Sequence, residues 1–332
     1  MTPTFRAAVC CALAGPDAIE IRDVSRPALT RGSVRIAVRA SGVNFPDYLL
    51  TRGEYQLRLE PPFTPGMEIA GVVVESSDVA GRFRVGDKVI AAMQVGGFAE
   101  EVVVGESAVV PLPPAFSFEE GACFLIAAQT AYHALLTRGN LSRGETVLVL
   151  GATGGVGMAA VQLAAHLRAH VIAVGSSDAK LAAALVAGAD AIVNYSDFDL
   201  VEAVRSSAGK VDVVLDPVGG DLAIQAARLL GWGGRFLVVG FASGKIPSFA
   251  ANYALLKGYS IIGVRAGEAA RLDPNGFVIA TQALLGWAST GALRPNISHR
   301  FPLEDAASAL RTLAERAVVG RVVLTMGGDD AA

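Results

Sequence analysis

The sequence predicts an α/β protein of two domains, a compact β barrel-like domain and a doubly wound parallel sheet inserted into it. Three observations carry this. Up to about Pro114 the chain runs in short alternating or β-branched stretches broken by Gly, Pro and Asp. From Glu145 apolar strands alternate with Ala- and Leu-rich helical stretches, the grammar of βαβ units. After Gly258 more segments follow than the roughly six strands such a sheet needs, so the end of the chain is expected to return to the first domain.

In chain order, the first domain takes its strands from residues 33–39, 69–75, 88–92 and 98–104. The parallel sheet takes residues 146–150, 171–174, 191–193, 211–215 and 236–239, continuously apolar as strands buried on both faces should be. Then come a strand at 259–264, a helix around 277–287, a strand at 296–301, a helix from about Leu303 and a last strand at 321–324. The expected division is residues 1–120, 121–265 and 266–332, the first and last forming one domain.

With 332 residues, 52% hydrophobic and only 18% charged, the chain can bury two cores and is not disordered. A net charge of -3 with 28 scattered Lys and Arg gives no basic field for nucleic acid, so a small-molecule partner is expected. Cys10, Cys11 and Cys123 make neither a disulfide framework nor a four-thiolate zinc site, which fits a reducing, cytoplasmic setting. The start of the chain breaks at Gly15, Pro16 and Asp17 without the apolar core of a secretion signal. The longest uncharged run, residues 121–137, is interrupted by Gln129, Thr130, Tyr132 and His133, and reads as a buried helix rather than a membrane span.

The segment from residue 146 to 167 has the order strand, glycine turn, helix: Gly151, Ala152, Thr153, Gly154, Gly155, Val156 and Gly157 join a strand to an apolar-periodic helix. Glycines let the backbone approach a pyrophosphate, and the first helical N–H groups stabilise the anion. Ala152 departs from the G-x-G-x-x-G spacing, but the flanking strand and helix supply the context the motif requires. At the end of the next strand, where an acid would grip the ribose 2′-hydroxyl of NAD, stand Gly175, Ser176 and Ser177, with Lys180 one turn on. A 2′-phosphate would meet hydroxyls and a cation there, so NADPH is expected over NADH; the alternative for Lys180 is a solvated helix residue, with Asp178 close by.

Ten segments follow in order: SGVNFPDYLLTRGEY from Ser41, PPFTPGMEIAGVV from Pro61, VGDKV from Val85, GGFAEEVVV from Gly96, QTAYHAL from Gln129, VLVLGATGGVG from Val147, GADAIVNYSD from Gly188, DVVLDPVGGD from Asp212, GGRFLVVGFASG from Gly233 and GRVVL from Gly320. Together they resemble the zinc-independent quinone oxidoreductases, the zeta-crystallin-like branch of the medium-chain dehydrogenase/reductase superfamily. The likeness covers nearly the whole chain. It implies a GroES-like catalytic domain built from both chain ends, an inserted Rossmann domain, a substrate cleft at their junction, and a homodimer paired through a strand near 259–264. Zinc-dependent relatives hold their ion with a Cys in the first motif and a His before the Glu of the second; here stand Asn44 with Asp47, and Met67 before Glu68. The four histidines, 133, 166, 170 and 299, show no ligand spacing with the cysteines, so no metal is expected.

The resemblance also assigns residues. Asn44, Asp47, Tyr55 and Thr130 border nicotinamide and substrate. Asn44 either hydrogen-bonds the ribose or caps the helix near Pro46, and Asp47 either orients the network or caps the same helix. Tyr55 is the candidate donor to a developing anion, or else a half-buried packing residue. Tyr195 is implied beside the adenosine and Gly240, Phe241 and Ala242 beneath the nicotinamide. Arg321 is implied near the 2′-phosphate, or pairs with Glu315 or another surface acid. His133 reads as a satisfied helix histidine and Cys123 as a small buried residue. The function implied is hydride transfer from NADPH to a quinone or α,β-unsaturated carbonyl compound, with Phe45, Tyr48, Leu49 and Leu50 suiting a hydrophobic acceptor. The alternatives are reduction of a 2-enoyl-CoA or acrylate, for which Arg52 and Arg58 would supply a basic patch, and a non-catalytic NADPH-binding role.

Overall fold

The computed structural model describes residues 3–78 and 81–327, which form two units, Met1–Ile126 with Pro295–Ala332, and Ala127–Arg294. In the first unit the strands are β1 (Thr4–Cys10), β2 (Ile19–Ser25), β3 (Ser33–Val43), β4 (Glu68–Ser76), β5 (Lys88–Ala92), β6 (Glu101–Gly105) and β7 (Val109–Pro111). Between them lies α1 (Phe45–Thr51), and α2 (Phe118–Ala122) follows β7. The chain enters the second unit within α3 (Leu125–Tyr132).

The second unit alternates β8 (Thr146–Leu150), α4 (Gly155–His166), β9 (His170–Gly175), α5 (Asp178–Val186), β10 (Ala191–Asn194), α6 (Leu200–Ala208), β11 (Val211–Asp216), α7 (Gly220–Ala227), β12 (Leu230–Val238), α8 (Ala251–Lys257) and β13 (Ser260–Gly263). Its strands pair in parallel in the order β10-β9-β8-β11-β12-β13. The central strands bury nearly every residue, which is why they read as unbroken apolar runs. The order reverses between β8 and β11, and ligands of such sheets bind outside the strand carboxyl ends at that point.

Two helices, α9 (Ala266–Leu272) and α10 (Pro274–Ser289), complete this unit. This corrects the expected boundary at 265/266, since the chain leaves only at Pro295. Counting strands missed the reason: α10 buries Ala280, Thr281, Leu284 and Ala288, stacks Trp287 near Tyr132 and His166, and takes a hydrogen bond from Gln129 to Thr281 (2.9 Å). The return itself occurs as expected. β14 (Ile297–Pro302), α11 (Ala306–Ala314) and β15 (Arg321–Thr325) rejoin the first unit, with β15 antiparallel to β3. Leu303, Leu310, Val322 and Leu324 share one core with Ile36, Ile69, Val73 and Phe98. The uncharged run at 121–137 is not one helix. It breaks after α2, resumes as α3 and ends in a π-helical stretch, His133–Arg138. No helix among the described residues is long and apolar enough to cross a membrane.

Candidate functional site

In the first unit, α1 starts on Asn44, whose backbone is extended (φ -113°), with Pro46 in the first turn. The Asp47 carboxylate accepts from the Asn44 N–H (2.8 Å) and from the Gly66 N–H (2.9 Å), tying the helix start to the segment that leads into β4. Burial pushes this carboxyl up to about 7, with Glu68 adding to the rise while the two N–H donors and Arg321 oppose it. Asn44 accepts from Arg321 Nη1 (2.7 Å) through Oδ1. Arg321 Nη2 ion-pairs with Glu68 Oε1, and Glu68 Oε2 accepts from the Ile126 N–H (2.9 Å). Burial raises Glu68 as well, and the adjacent guanidinium opposes it.

This corrects one expectation. Arg321 does not present a cation to a phosphate: it is 6% exposed and paired with the fully buried Glu68 rather than with Glu315 or a surface acid. Asn44 and Asp47, 4% and 0% exposed, take the capping alternative: Asn44 is the N-cap of α1, Asp47 closes its first turn, and Arg321 donates to the Asn44 side chain. Tyr55 lies just beyond α1 and is half-buried. Cys123 is buried, its thiol near the Val322 carbonyl (3.7 Å) and pushed up to about 12 by burial, which leaves it protonated and inert.

In the second unit, the strand-turn-helix at 146–167 forms as expected. Gly151 turns the chain at φ +57°, and the Ala152 N–H donates to the Val174 carbonyl (3.0 Å). Ala152 is fully buried, so its methyl fills core space where the usual motif has glycine. Gly157 is obligatory. A Cβ there would collide with the Gly151 carbonyl oxygen and lie 2.8 Å from the Ala152 Cα. Gly154 is the N-cap of α4 in ordinary extended geometry (φ -84°), is exposed, and has the Gly151 carbonyl 3.4 Å away as the nearest neighbour to an added Cβ. The first-turn N–H groups, at Gly155, Val156 and Gly157, have no helical acceptor by geometry and are the donors an anion needs.

The other expected cofactor residues gather at the carboxyl ends of the same sheet. β9 ends at the buried Gly175, followed by exposed Ser176; Lys180 is half-buried in the first turn of α5. Tyr195 donates its N–H to the Gly175 carbonyl (3.0 Å), and Ser196 Oγ binds the Ser176 carbonyl (3.2 Å). Gly240, Phe241 and Ala242 follow β12, with the Phe241 side chain 39% exposed. Thr130 is half-buried on α3, just before the π-helical stretch. His133 is held neutral, its pKa lowered first by burial and then by Arg138. Sequence reasoning missed Glu68 and Asp216, two buried acids inside the quoted motifs MEIAG and DPVGG. Their signal was an acid at the terminus of a mostly apolar strand, first residue of one and last of the other.

A doubly wound sheet with a glycine turn opening a helix at its switch point defines a dinucleotide-binding protein. Residues 30–114 match the alcohol dehydrogenase GroES-like domain family and residues 155–278 the zinc-binding dehydrogenase family. The chain is 37% identical over 325 residues to quinone oxidoreductase-like protein 2 of Bos taurus, covering 97% of this chain and 93% of that protein. A crystal structure of a probable oxidoreductase from Mycobacterium abscessus superposes with a TM-score of 0.88 at 38% identity, over 98% of this chain and 100% of that one. The quinone oxidoreductase from Thermus thermophilus, solved also in complex with NADPH, gives 0.81 at 33% identity, over 96% and 99%. The chain belongs to the zinc-independent quinone oxidoreductase branch of the medium-chain dehydrogenase/reductase superfamily.

Proposed function

We propose that the protein transfers hydride from NADPH to a quinone or an α,β-unsaturated carbonyl compound without zinc. The observation that carries this reading is the carboxyl end of the parallel sheet, where an exposed helix N-terminus at Gly154 follows β8 and an acid-free end, Gly175 and Ser176, closes the neighbouring β9. The residues fit the cofactor. Thr153 to Gly157 would hold the pyrophosphate, Ser176 and Lys180 the 2′-phosphate, Tyr195 the adenosine, and Thr130 with Gly240, Phe241 and Ala242 the nicotinamide half. When bound, NADPH supplies the hydride. The chain's part is to align the acceptor and place donors where negative charge develops, the role given to the Tyr55 hydroxyl.

The zinc-free part rests on chemistry. The one oxygen Asn44 offers already accepts from the Arg321 guanidinium, Glu68 is ion-paired to the same cation, and Met67 offers a thioether. A metal would have to displace a buried arginine. The thioester alternative has a weaker basic patch, because Arg52 is paired with Glu54 (2.8 Å) and lies over the Tyr48 ring, which leaves Arg58, donating to the Gly53 carbonyl, as its unneutralised charge. The proposal includes a homodimer: β13 is the sheet edge, and Ile261 (44%), Leu256 (71%) and Trp232 (79%) expose apolar surface on or near it. Light scattering should report a dimer that Ile261→Pro converts to monomer.

The test is turnover of NADPH beside NADH against a small quinone, an enone and a short 2-enoyl-CoA, before and after chelation. Preferential NADPH oxidation with quinone or enone, unchanged by chelation, is expected. Tight NADPH binding without turnover would overturn catalysis, and activity restored only by zinc would overturn the zinc-free step.

A further inference from the structure

Asp216 ends β11, the strand beside β8 at the point where the sheet order reverses. Its carboxyl is fully buried, and a single oxygen, Oδ1, accepts both the Val218 N–H and the Gly219 N–H, each at 2.8 Å. Oδ2 has no partner among the described residues. Burial raises the pKa of this group and the two N–H donors oppose the rise; no cation is among the groups acting on it. A buried acid this sparsely satisfied is expensive for a fold, and calls for a role beyond packing.

The turn it holds is laced to the loop after β12. Val239 and Gly240 donate to the Asp216 carbonyl (2.8 and 3.3 Å), Ala242 to Pro217 (3.0 Å), Ser243 to Val218 (2.8 Å), and Gly220 to the Lys245 carbonyl (2.9 Å). On the other side the turn meets the glycine loop, where a Cβ added at Gly151 would stand 2.9 Å from Val218 Cγ2. Gly219, at φ +75°, fits only as glycine, since a Cβ would lie 2.7 Å from the Lys245 carbonyl and 3.0 Å from the Phe241 ring. One carboxylate oxygen therefore sets a turn that touches both the phosphate-side loop and the Gly240 to Ala242 loop.

We propose that Asp216 is a positioning residue for the nicotinamide half of the cofactor, acting through the Val218–Gly219 turn on the loop at Gly240, Phe241 and Ala242; this rests on the NADPH reading above. The adenosine-side residues, Ser176, Lys180 and Tyr195, follow β9 and β10, which lie on the far side of β8 from β11 in the sheet. Losing Asp216 should therefore weaken the whole cofactor and spare its adenosine 2′-phosphate portion.

The experiment titrates NADPH and adenosine 2′,5′-bisphosphate into the wild type, Asp216→Ala, Asp216→Asn and Gly219→Ala. Expected for Asp216→Ala is an NADPH Kd raised about tenfold or more, with the bisphosphate within about twofold, as for a turn that loses two internal hydrogen bonds and no longer supports one half of the ligand. Asp216→Asn keeps an acceptor oxygen and should restore NADPH binding to within about threefold of wild type. Gly219→Ala, which pushes the same turn from the Lys245 side, should reproduce the selective loss and serves if Asp216→Ala does not fold. Equal loss of both ligands, an unchanged NADPH Kd in Asp216→Ala or Gly219→Ala, or failure of Asp216→Asn to restore binding would each overturn the assignment. A wild type that does not bind NADPH would overturn the NADPH reading itself, and this assignment with it.

Discussion

Gly154→Asp separates the phosphate-binding role of the glycine loop from its structural role, because the two respond in opposite directions. The position is the N-cap of α4 with φ -84° and ψ 173°, which any residue adopts, and the nearest atom to an added Cβ is 3.4 Å away. Aspartate is a better N-cap than glycine by a few tenths of a kcal/mol, and a carboxylate at a helix N-terminus adds about 0.3–1 kcal/mol. The fold should gain up to about 1 kcal/mol, a rise in Tm of about 2–4 °C for a unit of this size. The same carboxylate would sit where a pyrophosphate must bind. At about 5 Å and an effective dielectric of about 20, it repels each unit of phosphate charge by roughly 3 kcal/mol, about a hundredfold in affinity. NADPH and NADH should suffer alike, and Gly154→Ser, a neutral cap, should bind within a few-fold of wild type. Calorimetric titration and thermal unfolding on the same samples decide it. A more stable Gly154→Asp that binds NADPH as the wild type does would refute the assignment of this loop to phosphate.

Lys180→Ala should weaken NADPH by about 1–3 kcal/mol and leave NADH nearly unchanged, as for one charge-assisted contact to a 2′-phosphate; equal losses would refute that contact. Arg321→Met strands the buried Glu68 and should cost about 3–5 kcal/mol in urea unfolding, while Glu68→Gln added to it recovers most of the loss. Neither should change the NADPH to NADH preference, and a shift towards NADH would restore Arg321 as a phosphate reader. Asp47 holds its proton up to about 7 in the fold, against an ordinary value of 3.8, so the folded state binds more protons between those values. Its stabilising contribution is complete below about pH 4 and is lost as pH rises through about 7. Asp47→Asn should flatten that decline in urea midpoints measured from pH 4.5 to 8, and parallel slopes in the two proteins would refute it.

The parallel sheet was legible because its strands are buried on both faces, which forces unbroken apolar runs: β8 falls on the expected residues and β11 runs one residue past them. The glycine loop was legible because a tight turn and close helix packing admit no side chain at Gly157. The boundary after β13 was not, because α10 carries apolar side chains on all sides and could cover either unit, whereas its packing through Ala280, Leu284 and Ala288, the Gln129 to Thr281 bond and the Trp287 stacking place it on the second. Arg321 was misplaced for a related reason. A basic residue opening a late strand looks exposed, and nothing local reveals that β15 threads beside β3 and brings its guanidinium to Glu68.

Glu68 and Asp216 show what local sequence withholds. Each is an acid at the terminus of a mostly apolar strand, Glu68 opening β4 and Asp216 ending β11, and each is 0% exposed. Their surroundings differ in kind: Glu68 faces a guanidinium brought from 253 residues away, whereas the Asp216 carboxyl, among the described residues, is held by two N–H groups within three residues. A buried charge with a distant cation is a tertiary lock, and breaking it should lower the stability of the first unit without a specific effect on ligands. A buried charge satisfied locally stiffens one turn, and its removal should be felt by whatever that turn supports. The two acids thus predict opposite phenotypes, unfolding for one and selective loss of a ligand half for the other, and parallel stability and binding measurements on Glu68→Gln and Asp216→Ala would separate them.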